Sequence, residues 1–329
     1  MNVVFIIYKR PKLTAQVFRK ISQVKPERLF IIADGPRSEE ERQLCESARA
    51  VIQVDWPCEV KSNIAETNMG CRRRVASGLA WVFSQIEEAI ILEDDCLPDS
   101  SFFPFCSQML DLYRNDSRVG HIAGCNLLKG YKRGAQSYYY SKYAPIWGWA
   151  TWRRAWLLYD VDMKTWPVMK AHNWHYDMFD THQEADFFAK EWDEVLSERL
   201  DTWDVQWLYS SLCQGSVSVV SSVNLVSNIG FDPAAHRTKD PNDPMANLIT
   251  EPMQFPLKHP PHRVCDRQAD QNFASSFRLS TASQPSLLLR IKMRLLNKYW
   301  YGALFRRVPL LGAIWAQARS NCLWNKKGR

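Results

Sequence analysis

The sequence predicts an α/β protein built on a mostly parallel β-sheet flanked by helices. Three observations predict it. Three short, β-branched runs fall in the first hundred residues: Val3-Val4-Phe5-Ile6-Ile7-Tyr8, Leu29-Phe30-Ile31-Ile32-Ala33 and Ala89-Ile90-Ile91-Leu92. Each is continuously apolar rather than alternating, which suits strands buried on both faces. Helical spacing fills the intervals between them. Each run also stops abruptly in polar residues, at Lys9-Arg10-Pro11, Asp34-Gly35-Pro36 and Glu93-Asp94-Asp95. Ligands of open parallel sheets bind beyond the carboxyl ends of the strands, so these clusters stand where a ligand is expected.

Taken in order, the elements support this class. Thr14 is placed to cap a helix reaching about Val24, and Arg72 to about Ile86 carries Val75, Leu79, Val82 and Phe83 at helical spacing. Such βαβ alternation implies right-handed crossovers. Phe102 to Tyr113 reads as a helix, followed by a Trp- and Tyr-rich stretch from Tyr138 to Trp166. Asp186 to Arg199 is a further helical pattern, and Val217 to Val226 a strand pair or extended segment. Residues 228–275 are loop-like and rich in proline. Ser286 to Ala318 is basic and amphipathic, broken at Pro309. The expected division is a domain over residues 1–275, in two halves at 1–100 and 101–275, and a basic helical tail at 276–329.

A hydrophobic content of 46% and a charged content of 23% over 329 residues exclude disorder and fibrous structure for the bulk of the chain. The formal charge of +7 is uneven. From residue 271 onward there are eleven Lys and Arg and no Asp or Glu, which leaves residues 1–270 at −4. A mildly acidic body with a basic tail is not a nucleic-acid-binding surface. The nine cysteines are scattered and never form CxxC, which fits a reducing compartment. No stretch reaches the roughly 20 apolar residues that span a bilayer. A cytoplasmic protein is expected, free or peripheral on the inner face of the membrane.

Three consecutive acids after a buried strand repel one another unless something compensates them. A divalent cation does so naturally, because Mg²⁺ and Mn²⁺ take one or two carboxylates together with substrate phosphates. The plain alternative is a solvated turn before Pro98 and Asp99. Arg10 is placed to meet a phosphate, or is a surface cation. Asp34 is placed to accept from a base or ribose, or is a turn residue before Gly35-Pro36.

The run from Ala89 through Glu93-Asp94-Asp95-Cys96-Leu97-Pro98-Asp99 to Phe105 resembles the corresponding segment of N-acetylglucosaminyltransferase I, a glycosyltransferase of the GT-A fold. There a Glu-Asp-Asp triplet fills the DXD role ahead of a Pro-Asp-Phe-Phe helix start. The chain is also similar to a bacterial group of sugar transferases, some labelled haemolytic protein HlpA-like. The resemblance spans roughly residues 1–240, without the tail. It implies a metal-dependent, inverting glycosyltransferase (hexosyl or N-acetylhexosaminyl transfer) that uses Mn²⁺ or Mg²⁺ and a nucleotide-diphosphate sugar, with a UDP-sugar expected. Asp95 would bind the metal, Asp94 and Glu93 would contact the ribose and its surroundings, Arg10 would face the diphosphate and Asp34 the base. Arg74 falls where that family places a residue near the uracil, but the family residue is a His, which leaves the base open.

An inverting transfer needs a base to deprotonate the acceptor hydroxyl. Asp204 in Asp201-Thr202-Trp203-Asp204-Val205-Gln206-Trp207 is the candidate, since the family has a similar Trp-Asp-Asp-Trp segment. Asp201 is its rival, and either Asp201 or Thr202 could instead be an N-cap. Upstream, Trp147-Gly148-Trp149 offers aromatic faces to a sugar around a glycine that allows close approach. Trp147 to Trp149 are expected to line the site, with Trp152 and Trp156 in the core. His236 and Arg237 follow a turn-rich loop that could close over the diphosphate. His172, His175, Asp177, Asp180, His182 and Glu184 fit no regular zinc spacing and read better as an acceptor-facing loop. The tail at 286–318 has the composition of a helix lying on an anionic membrane, or of a helix packed on protein. A glycan or lipid-linked acceptor, as in bacterial envelope synthesis, fits such a transferase. The competing classes are a sugar-nucleotidyltransferase and a non-catalytic membrane-binding module. The first normally has a Gly-rich loop after its first strand, where this chain has Tyr8-Lys9-Arg10-Pro11.

Overall fold

The computed structural model describes residues 1–128, 130–232 and 239–281, and side chains as far as residue 276. His236, Arg237 and the basic stretch at 286–318 lie outside the described residues. Met1–Ala274 form one compact unit.

The three apolar runs are strands β1 (Asn2–Ile7), β2 (Arg28–Ala33) and β4 (Glu88–Glu93), and β3 is Glu59–Ile64. With β6 (Val119–Ala123), β7 (Tyr138–Ser141), β8 (Trp149–Trp152) and β9 (Val217–Ser221) they form an eight-stranded sheet in the order β3-β2-β1-β4-β8-β6-β9-β7. All strands but β8 and β7 share one direction. A second, two-stranded sheet pairs β5 (Cys96–Pro98) with β10 (Val226–Asn228), so the expected strand pair at 217–226 is divided between two sheets. The strand order reverses at β1, which places β2 on one side and β4 on the other. That is the switch point at which such sheets open a crevice.

Both faces of this sheet are covered, which is why its first strands are apolar throughout. Val3, Phe5 and Ile7 pack with Val17, Phe18 and Ile21 of helix α1 (Pro11–Val24) on one face. Val4 and Ile6 pack on the other face with Val75, Leu79 and Val82 of helix α3 (Gly70–Phe83). Helix α2 (Glu39–Ala50) follows β2, and helix α4 (Phe102–Tyr113) follows β5. The first helix begins three residues earlier than Thr14: Pro11 is at its start, where a missing N–H is harmless, and the Thr14 hydroxyl donates back to the Arg10 carbonyl at 2.8 Å. After the short helices α5 (Arg153–Trp156) and α6 (Trp166–Ala171), helices α7 (His182–Leu196) and α8 (Asp204–Cys213) share an aromatic cluster. Helix α9 (Arg267–Thr281) begins inside the stretch expected to be loop.

The β6 residue His121 is fully buried. Its Nδ1 lies 3.1 Å from Trp207 Nε1, which can only donate, so the imidazole proton is on Nε2 and is donated to the Pro145 carbonyl at 2.9 Å. Burial pushes its pKa down to about 4. The unfolded chain therefore takes up a proton that the folded chain refuses, and stability falls as pH drops from about 6.5 towards 4, by up to about 3 kcal/mol. Urea unfolding at pH 7 and pH 5 is expected to show this slope, and His121→Gln to flatten it. A variant with the wild-type slope would refute the assignment.

Candidate active site

The carboxyl ends of β1 and β4 hold the acidic cluster. Glu93 closes β4, and Asp94 and Asp95 form the turn into β5. Arg10 is the N-cap residue of α1, one step from Pro11, so its backbone is fixed by both strand and helix. Its Nη2 contacts Asp94 Oδ1 and lies 2.9 Å from Asp95 Oδ2. The Tyr8 amide donates to Asp94 Oδ2 at 3.4 Å. The Tyr8 hydroxyl and the Lys9 ammonium both reach Glu41, tying this end of β1 to α2.

Three acids and one guanidinium do not balance, and the excess negative charge weighs on the carboxyl groups. Burial first, and then Asp95 and Asp94, push Glu93 up to about 8. Burial also raises Asp94 against the opposing pull of Arg10. Burial works against the charge of Arg10, but Asp94 and Asp95 hold it protonated more firmly than usual. The charge of Asp204, at the start of α8, adds the smallest of the contributions that raise Glu93.

The two candidate bases have different partners. Asp201 accepts from the backbone N–H of Cys71 at 2.9 Å and of Arg72 at 2.8 Å, capping α3 from a distant part of the chain. Its carboxylate is thus engaged by a helix start, though not the one the sequence suggested. Asp204 opens α8 and accepts from the Thr202 hydroxyl, whose own carbonyl is held by Gln206 Nε2 at 2.5 Å. The Tyr159 hydroxyl donates to the Trp203 carbonyl at 3.1 Å, beside Asp204. Asp201→Ala is expected to lower stability by about 2 kcal/mol, as loss of a strong N-cap does. Chemical denaturation measures it, and no loss would show that α3 has another cap.

Asp34 is buried, and its carboxylate accepts from Gly35 N at 2.8 Å, Met69 N at 2.9 Å and Asn68 Nδ2 at 3.0 Å. It ties the 67–69 loop to the end of β2, and burial raises its pKa. Arg74 comes in from α3, with Nη2 bound to the Asn63 carbonyl at 2.5 Å and its Oδ1 at 2.8 Å. Burial lowers its pKa, with Asp34 opposing, so the two residues converge beside the ends of β2 and β3.

The tryptophan segment needs a correction. Trp149 is 0% exposed and stacks on Trp203 at 5.3 Å and His121 at 5.1 Å, so it cannot touch a ligand. It sits on β8 between β4 and β6, where both faces of the sheet are covered. Gly148 has φ +68, and the space a side chain would fill is taken by Val226 and Leu92. Its missing side chain therefore serves packing within the protein. Trp147 is partly buried and meets Phe231 edge to face at 5.7 Å. Trp152 and Trp156 are buried.

Gly230 was not legible as a site residue, yet it floors the cluster. A Cβ there would collide with the Asp95 carboxylate and stand 2.8 Å from Arg10 Nη1. The Ile229 amide donates to the Asp95 carbonyl at 2.9 Å, and Phe231 follows directly. The Trp147–Phe231 pair thus stands at the edge of the acids. In the His-rich segment Glu184 is buried and accepts from the Tyr143 hydroxyl, and Lys142 Nζ lies 3.6 Å from Asp180. Among the described residues no group of three or more His, Cys, Asp or Glu is arranged to hold a metal ion. A surface cavity lined by Asn2, Glu27, Arg28 and Glu88 opens at the opposite, amino ends of the strands, away from this chemistry.

No family model matches the chain, and no curated protein matches it. Solved structures do. A galactosyltransferase, LgtC, in complex with donor and acceptor sugar analogs is 16% identical, with 86% of this chain and 98% of that chain covered and a TM-score of 0.34. TarS 1–349 of S. aureus is 11% identical, with 68% and 58% covered and a TM-score of 0.37. The mannosyltransferase PcManGT from Pyrobaculum calidifontis, in complex with GDP-Man and Mn²⁺, is 14% identical, with 46% of this chain covered and a TM-score of 0.34. The chain spans 44% of that mannosyltransferase's length. At such identities and scores none of them supplies residue correspondences.

Proposed function

We propose that this chain is a glycosyltransferase of the GT-A type, which moves a sugar from a nucleotide-diphosphate sugar to a hydroxyl acceptor with inversion. The observation that supports this reading is the convergence of Arg10, Asp94 and Asp95 at the switch point. The donor set suits a divalent cation. Asp94 Oδ1 and Asp95 Oδ2 both reach one nitrogen of Arg10, so two hard oxygens meet at one point, which is the protein share that Mg²⁺ or Mn²⁺ needs beside phosphates. Asp95, with Asp94, would hold it, and the bound cation would stabilise the departing diphosphate.

The chain's own residues do the rest. Arg10 pairs its fork with phosphate oxygens. Arg74 and Asp34 flank the base, with a UDP-sugar the first donor to try. Trp147 and Phe231 offer aromatic faces to the transferred sugar. Asp204 accepts the proton of the attacking hydroxyl, and Thr202 orients its carboxylate. Residues 1–100 supply the nucleotide side and 101–275 the acceptor side, where a glycan or lipid-linked hydroxyl would enter.

A panel of UDP-, GDP-, TDP- and CDP-sugars, with and without Mn²⁺, tests this by donor hydrolysis and thermal shift. At least one donor is expected to give a Mn²⁺-dependent response that Asp95→Ala abolishes. Silence with every donor would overturn the reading. Net formation of a nucleotide sugar from a sugar 1-phosphate and a nucleoside triphosphate would instead establish a nucleotidyltransferase, which the same sheet and acids could serve.

A further inference from the structure

We propose that Arg10 is a latch: its guanidinium takes the cation's position in this site and releases it only to a diphosphate, so that divalent-cation binding is conditional on the nucleotide. This rests on the transferase reading above. A single nitrogen, Nη2, contacts Asp94 Oδ1 and lies 2.9 Å from Asp95 Oδ2. A divalent cation held by the same two carboxylates would stand at the same point, and two positive groups that close repel one another. The latch and the cation are therefore alternatives at one point.

Access is asymmetric. The Asp94 and Asp95 side chains are 5% and 10% exposed, whereas that of Arg10 is 32% exposed. The guanidinium covers the carboxylates and is itself within reach of an incoming anion. Beneath it the protein is shaped to the latched state: at Gly230 a Cβ would crowd both Arg10 Nη1 and the Asp95 carboxylate. Opening needs only the side chain to move, because the Arg10 backbone is pinned between β1 and Pro11 of α1.

A diphosphate can open it. Phosphate oxygens accept from the guanidinium fork in pairs, which can replace the two contacts that Arg10 Nη2 gives up at the aspartates. Once the fork has turned to phosphate, the freed carboxylates and the phosphates together present the oxygen set that Mn²⁺ or Mg²⁺ prefers. Each partner then raises the other's affinity by the same factor. The cation alone meets carboxylates already paired with Arg10. Such coupling keeps a free cation from occupying the acids without a donor.

The test reads Mn²⁺ binding by the paramagnetic resonance of the free ion, with UDP and inorganic pyrophosphate as probes. In the wild-type protein either probe is expected to tighten Mn²⁺ binding about tenfold or more, within the usual range of site coupling. Arg10→Gln is expected to bind Mn²⁺ alone about tenfold more tightly than wild type, and to lose most of the coupling. Thermal melts establish that the variant is folded. Equal Mn²⁺ affinity in wild type with and without pyrophosphate overturns the latch, and needs no variant. So does an Arg10→Gln protein that binds Mn²⁺ alone no better than wild type, while wild type still binds Mn²⁺ with UDP. If wild type binds neither Mn²⁺ nor UDP nor pyrophosphate under any pairing, the transferase reading falls and the latch with it.

Discussion

Asp204→Asn is expected to lower sugar transfer by about 10²–10⁴-fold, the usual contribution of a positioned general base, while leaving donor binding intact. The amide keeps the shape of the carboxylate and can still accept from the Thr202 hydroxyl, so the start of α8 is preserved. What is lost is the basic oxygen and one negative charge near Glu93. In the proposed reading donor binding would rest on Arg10, Asp94 and Asp95 at the ends of other strands, and it should survive. Single-turnover transfer and equilibrium donor binding separate the two effects. Asp201→Asn is the contrasting variant: its carboxylate caps α3 through two backbone amides, so its loss should appear in stability before it appears in chemistry. Full transfer by Asp204→Asn would remove Asp204 from the mechanism. Transfer lost in Asp201→Asn at unchanged stability would return the role to the rival.

Much of the sheet was legible because parallel strands covered on both faces must be apolar at every position. β1, β2 and β4 obey that rule, and their boundaries came within a residue or two of the structure. β3 does not: as an edge strand with four of its six residues exposed, Glu59–Ile64 carries polar side chains and little signal. β8 was hidden in the Trp-rich stretch, where indoles that could have served a ligand turned out to face the core. The acidic triplet and Arg10 were readable as strand ends, but their direct contact spans 84 positions of sequence and depends on which strands are neighbours. No local pattern reports that. Asp201 and Asp204 illustrate the limit more sharply. They lie three apart in similar surroundings, and only the distant amides of α3 tell them apart. Gly230 must be glycine because a side chain there would meet Asp95 and Arg10, which no local pattern reports.

Trp149→Ala is expected to destabilise the fold by about 3–5 kcal/mol, the range for emptying a buried large aromatic site. The indole is fully buried and lies against Trp203, Trp207, Trp156 and His121, with centroids 5.1–6.4 Å away. These neighbours come from β6, α5 and the start of α8, so no single element can shift to fill the space. In a unit of this size that loss lowers Tm by roughly 10 °C. The effect should reach the chemistry as well. Trp203 immediately precedes Asp204 and stacks on Trp149 at 5.3 Å, so its release loosens the start of α8. Transfer by Trp149→Ala should therefore fall more than donor binding, which depends on β1 and β4. Trp149→Phe separates volume from hydrogen bonding. The indole N–H has no hydrogen-bond partner among the described residues, so the smaller ring forfeits packing alone, at about 1–2 kcal/mol. If Phe destabilises as much as Ala, the N–H has a buried partner and the stack is not the main contribution. If Ala is tolerated at full stability, the aromatic column does not hold Asp204 in place, and the start of α8 must be rigidified from elsewhere.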